Sequence, residues 1–205
     1  MEGKIYEIFP KVVMKFKLDR EFNNKELLHF DYIQNYVKIA AHSDGVSDDH
    51  YVLNNESMSS LKAFCENCLN EYLNKIYCPS DNSVKVYITQ SWINYLRKDH
   101  THSMHAHSNS FLSGVLYISM DDDTDSIEFI KNEYLPIRFK SKEINDYNAE
   151  DVEFKVKKYE LLIFPSNLYH QVPPNKSDKL RISLAFNSYI NGTISNDDTL
   201  YGLKL

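Results

Sequence analysis

Residues 105–119 read HAHSNSFLSGVLYIS, and this stretch decides the fold. Its second half is an apolar strand pattern through Leu112, Val115, Leu116, Tyr117 and Ile118. Its first half sets His105 and His107 two positions apart, just ahead of that strand. Residues i and i+2 of an extended chain point to the same side. Both imidazoles can therefore reach one ion.

Working outward, the same strand rhythm recurs from residue 83 onward. Val84, Val86 and Ile88 alternate with Lys85 and Tyr87. Further strands are predicted at 111–119, 126–131, 152–156, 159–164, 168–172 and 179–187. Many short strands separated by polar turns point to a double-sheet jelly roll or a related barrel. The first 80 residues read differently. Residues 3–17 predict one or two strands interrupted at Pro10. Residues 24–41 predict a helix with Leu28, Tyr32, Tyr36 and Ala40 as its apolar stripe. Residues 42–56 read as a polar connection. Residues 57–77 predict a second helix striped by Leu61, Cys65, Cys68, Tyr72 and Ile76, with Ser57 as N-cap. The fold class is therefore mainly β with N-terminal helices. One domain is expected over 1–205, with a strand and helical support region at 1–80 and a β core at 83–190. The polar segment 132–151, broken by Pro136, reads as a lid or as a surface excursion.

Composition narrows the function. The chain has 205 residues, 42% apolar and 25% charged, with a net charge of −6. That is an ordinary globular balance. The acidic balance argues against nucleic acid and anionic membranes as partners, since both need a basic patch. No apolar run is long enough for a membrane span, and MEGKIYEIFPKVVMKF lacks the apolar run of a signal peptide. Three cysteines, two of them inside a helical pattern, point to a reduced cytoplasmic setting.

Two downstream motifs give the H-x-H pair its meaning. FPSNLYHQV (164–172) carries His170, and LRISLAFN (180–187) carries Arg181 and Ser183. His170 would complete a face of three ligands, leaving positions open for substrate or oxygen. An H-x-H pair alone is, in most proteins, chance or a surface hydrogen-bonding pair. His100 and His102 form a second such pair upstream, read as loop or outer support. In the last strand Leu180, Ile182, Leu184 and Phe186 share one face, and Arg181 and Ser183 the other. A buried arginine needs a partner. A bidentate carboxylate ligand and a structural ion pair to an Asp or Glu both satisfy it.

Taken in order, H-x-H, SGVLYIS, FPSNLYHQVPPN and RISLAFN resemble the iron(II)- and 2-oxoglutarate-dependent oxygenases. More narrowly, they resemble the bacterial and phage subfamily with an H-x-H-x-x-S-x-x-SGV-x-Y signature. The resemblance runs from about Trp92 to Asn187. It implies a double-stranded β-helix, a cupin-like jelly roll. It implies Fe(II), 2-oxoglutarate and O2 as cofactor and cosubstrates. It also implies hydroxylation of a C–H bond on a protein side chain, an amino acid or a small metabolite, with release of succinate and CO2. His105 and His170 match metal ligands. His107 stands where the family usually has a carboxylate. Arg181 and Ser183 match the R-x-S pair that holds the far carboxylate of 2-oxoglutarate. Tyr117 matches a position that hydrogen-bonds it, and Tyr95 and Asn94 are further candidates for that pocket. Two alternatives stay open: a three-histidine cupin-like dioxygenase without 2-oxoglutarate, and a non-enzymatic metal- or ligand-binding jelly roll. Nothing in the residues selects a particular substrate or an oligomeric state.

Four remaining features read as structural. Cys65-x-x-Cys68 has no second pair for zinc and lies on the helix stripe, so it reads as core. Trp92 opens the strand before the metal motif, as pocket wall or core. Asp121–Asp125 reads as a solvated turn rather than a cation site. Pro173-Pro174-Asn175 shapes the turn between the His170 and Arg181 strands.

Overall fold

Alternation in three long segments builds the scaffold. In β2 (Lys85–Leu96), β4 (Leu112–Ser119) and β9 (Arg181–Asn191), successive side chains turn to opposite faces. On one face Ile93, Leu116, Leu184 and Phe186 join a large apolar core. On the other, Val115, Tyr117 and Ala185 join a smaller one. The structure, a computed structural model, describes residues 3–36, 45–133, 137, 139–195 and 201–205.

These strands belong to a five-stranded sheet completed by β1 (Met14–Lys17) and β7 (Glu160–Pro165), in the order β1-β7-β4-β9-β2. Every neighbouring pair is antiparallel. A second sheet has the order β3-β8-β5-β6, from β3 (His102–His105), β8 (His170–Val172), β5 (Ser126–Ile130) and β6 (Asp151–Lys155). Ile127 and Phe129 of β5 share the smaller core with Leu162 and Phe164 of β7. The two sheets therefore face each other, as the expected double-stranded β-helix requires. A two-stranded ribbon, β10 (Thr193–Ile194) with β11 (Leu203–Lys204), stands apart from both sheets.

The outer face of the larger sheet is covered by helices. In α2 (Ser59–Tyr72), Leu61, Cys65, Cys68, Leu69 and Tyr72 are buried. Asn70 bonds both backbone groups of Val86 at 3.0 Å, tying the helix to the sheet edge. Ile76, expected on the same stripe, is 38% exposed. It lies in a π-helical turn, Leu73–Tyr77, whose wider winding rotates it off the stripe. Ser57 is not the cap. Asn55 accepts from the Ser57 backbone N–H at 3.0 Å and opens a 3-10 turn before the helix.

The stripe expected for the first helix is also corrected. In α1 (Asn24–Tyr36), Leu28 and Tyr32 are exposed, whereas Glu26, Phe30 and Ile33 are buried. Glu26 is buried because it closes a capping box: it accepts from the Asn23 N–H, while Asn23 Oδ1 accepts from the Lys25 and Glu26 N–H groups. Arg20 then pairs with both Glu26 oxygens, at 2.7 and 2.8 Å. That choice turns the 30/33 face inward. The Ala40 end of the predicted helix lies outside the described residues.

Other boundaries shift too. Of residues 3–17 only β1 is a strand. The connection 42–56 is more structured than its polarity predicts. Val46 bridges to Asn94, Tyr51 bridges to Ser91, and Val52–Asn54 form a 3-10 turn. Trp92 lies inside β2 rather than opening it. Pro136 lies outside the described residues. Among the described residues no helix is long and apolar enough to cross a membrane.

Gly114 of β4 faces the Phe186 ring across the strand pair, and a Cβ there would overlap it. Gly114→Ala is therefore expected to lower stability by about 1–3 kcal/mol through overpacking. The check is the denaturant midpoint against wild type; an unchanged midpoint would mean that the ring has room to move.

Candidate metal centre

The smaller sheet sets the histidines. His105 ends β3 and pairs directly with His170 at the start of β8. His107 lies two residues beyond the strand, its N–H donating to the Ser166 carbonyl at 2.9 Å. Ring centroids are 4.3 Å apart for His105–His170, 5.2 Å for His105–His107 and 5.1 Å for His107–His170. One ring nitrogen of each lies within 4.8 Å of the others. Among the described residues no other cluster of His, Cys, Asp or Glu has metal-binding geometry.

Hydrogen bonds fix which nitrogens these are. A carbonyl oxygen can only accept. His105 Nδ1 lies 2.7 Å from the Ser103 carbonyl, and His170 Nδ1 lies 2.9 Å from the Leu168 carbonyl. Both Nδ1 atoms therefore carry the proton, and both Nε2 lone pairs are free. His107 Nδ1 lies 2.8 Å from Ser113 Oγ, whose proton goes to Asn187 Oδ1 at 3.1 Å. It too donates from Nδ1. Burial holds two of the three neutral: it lowers His170 to about 3 and His107 to about 4, with the nearby imidazoles adding to the shift. Three converging imidazoles with Nδ1 engaged elsewhere and Nε2 turned to one another form a donor set for a divalent transition metal.

The triad opens into a cavity of about 560 Å³ between the sheets, within the range of small-molecule sites. Arg181 lines it and is 4% exposed. Its Nη1 donates to the Ser126 carbonyl at 2.8 Å and lies 3.6 Å from Asp125 Oδ1. Its guanidinium carbon is 5.4 Å from the Tyr117 ring centre. The Tyr117 hydroxyl and Ser126 Oγ are both buried without a hydrogen-bond partner. Burial pushes the Tyr117 phenol up to about 12, so it remains a donor. Of the two only Tyr117 lines the cavity, and an unpartnered buried hydroxyl beside a buried cation marks a place for a polar ligand.

The remaining candidates divide. Ser183 and Asn94 line the cavity, and Asn94 accepts from Trp92 Nε1 at 3.1 Å. Tyr95 does not line it: one position along the strand, it turns into the core on the helical side. Of the upstream pair His102 lines the cavity and His100 does not. Asp125 is 3% exposed and paired with Arg181, so the acidic run is not simply a solvated turn. Asn175 is buried, its amide holding the Leu96 and Lys179 carbonyls at 3.0 Å, which fixes the turn after Pro174. Cys65 and Cys68 are buried free thiols. No described residue of 132–150 lines the cavity. Sequence reasoning missed Ser113, Ser166 and Asn187, which stand behind His107. Ser113 stands inside the quoted signature, Asn187 is a polar residue on an otherwise apolar strand, and Ser166 lies in the turn after β7.

Comparison with known proteins agrees with this geometry. Residues 90–187 match the family described as "Putative 2OG-Fe(II) oxygenase". No curated protein matches the sequence. Among solved structures, a 2OG-Fe(II) oxygenase family oxidoreductase from Burkholderia pseudomallei is similar at TM-score 0.55 and 15% identity, over 85% of this chain and 83% of that one. The epimerase SnoN, in complex with Fe3+, alpha ketoglutarate and nogalamycin RO, is similar at TM-score 0.59 and 11% identity, over 87% and 78%. A Pseudomonas putida prolyl-4-hydroxylase is similar at TM-score 0.51 and 13% identity, over 86% and 92%. At these identities the likeness is one of fold.

Proposed function

We propose that this chain is an iron(II)- and 2-oxoglutarate-dependent oxygenase, the family its residues 90–187 match, and that His105, His107 and His170 hold its iron through Nε2. In the same proposal Arg181, with Tyr117 and Ser183, holds the far carboxylate of 2-oxoglutarate. The observation that carries this is the single cavity lined by three converging imidazoles and a buried arginine. The residues fit both groups. The three imidazoles converge on one point, and the buried Tyr117 hydroxyl lines the same cavity beside Arg181. When bound, iron and 2-oxoglutarate supply oxygen activation coupled to decarboxylation to succinate and CO2.

The chain's own part is to position and to shield. Arg181 is held by Ser126 and Asp125, which leaves its other N–H donors for the ligand. Tyr117 donates a further hydrogen bond and Ser183 another. Val115, Ile127 and Ala185 form apolar walls that keep water from the reacting centre. Asn94 and Trp92 support the wall on the β2 side. Substrate enters past Met104, which lines the cavity and is half exposed.

The reaction is hydroxylation of a C–H bond in a small molecule or a protein side chain. The substrate range is that of the similar structures, an epimerase seen with nogalamycin RO and a prolyl-4-hydroxylase, and the hydroxylation is what the family resemblance implies. The free thiols of Cys65, Cys68 and Cys78 support a reducing, cytoplasmic setting. A three-histidine dioxygenase without 2-oxoglutarate has no use for the Arg181 pocket. The test is release of CO2 from 1-labelled 2-oxoglutarate, without added substrate and with it. Iron-dependent release, accelerated when substrate is present, is expected; no release with iron bound would overturn the reading.

A further inference from the structure

We infer that Ser113 is a positioning residue for the metal, acting through His107 by locking its imidazole with the proton on Nδ1. The inference rests on the three-histidine reading of the metal site.

The three histidines are not held alike. His105 and His170 each donate to a backbone carbonyl two residues upstream, Ser103 and Leu168. Those acceptors come with the strand and survive any change of side chain. His107 has no such carbonyl. Its Nδ1 meets Ser113 Oγ at 2.8 Å. A hydroxyl, unlike a carbonyl, can face an imidazole as donor or as acceptor. As a donor, Ser113 would leave the His107 proton on Nε2, and the metal would meet an N–H in place of a lone pair.

The surroundings decide the direction. Ser113 is fully buried, so no water takes its proton. Asn187 Oδ1, directly across the β4–β9 pair, lies 3.1 Å away and can only accept. Ser166 Oγ lies 2.8 Å away, with its own proton aimed at Ser110 Oγ at 2.7 Å. Both neighbours draw the Ser113 proton away from His107. Ser113 Oγ is left to accept from Nδ1. Such outer partners orient a metal-binding imidazole and raise its basicity. A carboxylate at position 107 would have no tautomer to fix.

The test pairs tautomer with affinity, using Co(II) as the probe. In the metal-free full chain, long-range 1H–15N NMR is expected to show His107 as a single Nδ1–H tautomer. Ser113→Ala should mix the two tautomers and weaken Co(II) binding by roughly 10–100-fold. Ser113→Thr, which keeps the hydroxyl, should restore both. If the alanine variant does not fold, Ser113→Cys, with a weak acceptor of similar size, makes the same comparison. Loss of affinity with an unchanged tautomer would overturn the lock, as would an alanine variant equal to wild type in both. Wild type that binds no Co(II) would overturn the metal reading and this inference together. Wild type that binds normally beside an unaffected alanine variant overturns this inference alone.

Discussion

His170→Ala is expected to abolish iron binding at micromolar concentration, and 2-oxoglutarate turnover with it. His170 is the most enclosed of the three imidazoles, 3% exposed and packed against Phe164 with ring centres 4.9 Å apart. Its Nε2 is freed by the Leu168 carbonyl. Protein metal sites are worth about 10–16 kcal/mol where measured for zinc, so one ligand of three or four carries roughly 3–4 kcal/mol. Its loss should weaken the metal by at least about a hundredfold. The same change opens a cavity beside Phe129 and Phe164, so melting temperature and far-UV spectrum belong in the measurement. A folded variant without iron isolates the ligand role. A folded variant with wild-type turnover would remove His170 from the site.

Arg181→Ala is expected to raise the KM for 2-oxoglutarate by on the order of a hundredfold or more, the usual consequence of removing one partner of a buried charge pair. The sequence left two readings of this arginine, ligand clamp and structural ion pair. The structure shows why neither excludes the other. One guanidinium nitrogen is spent on the Ser126 carbonyl and on Asp125. The Tyr117 hydroxyl beside it is still unpartnered. Removing Arg181 also leaves Asp125 buried without its cation, an effect of about 3–5 kcal/mol on stability. The double variant Arg181→Ala with Asp125→Asn separates the two roles. Stability should largely return, since the stranded charge is gone, while KM stays high. If KM recovers with stability, the arginine is structural only.

The replacement at position 107 has its own consequence. Three neutral imidazoles leave a bound divalent metal one unit more positive than two imidazoles and a carboxylate would. The chain surrounds that imidazole with Ser113, Ser166 and Asn187, a neutral polar setting in a fully enclosed place. No anion stands among the hydrogen bonds of His107 to offset the extra charge. In the proposed site bound 2-oxoglutarate would supply counter-charge, so its binding is expected to strengthen with that of the metal.

Much of the β architecture was legible because strand faces obey a period of two. Leu184 and Phe186 against Arg181 and Ser183 are enough to say which face of β9 meets the site. Spacing alone paired His105 with His107, and the chain order placed His170 on a later strand. Three things were not legible. The face of α1 was set by Glu26, a charged residue buried because Arg20 and Asn23 hold it, whereas hydropathy counts it as surface. Tyr95 was chosen with its neighbour Asn94, although consecutive residues on a strand cannot face the same cavity. Asp125 looked like one more acidic turn residue, and only the fold brings it to Arg181, 56 positions later (181 − 125). Long-range partnership of this kind is absent from local pattern. The residues behind His107 belong to the same class.

The most direct test is optical. Fe(II) added anaerobically to the protein with 2-oxoglutarate should give a visible charge-transfer band if, as proposed, the three histidines hold the iron and the 2-oxo acid binds beside it. The band should need both additions, should be missing in His170→Ala, and should require about a hundredfold more 2-oxoglutarate in Arg181→Ala. Iron binding without the band at any 2-oxoglutarate concentration would contradict the account.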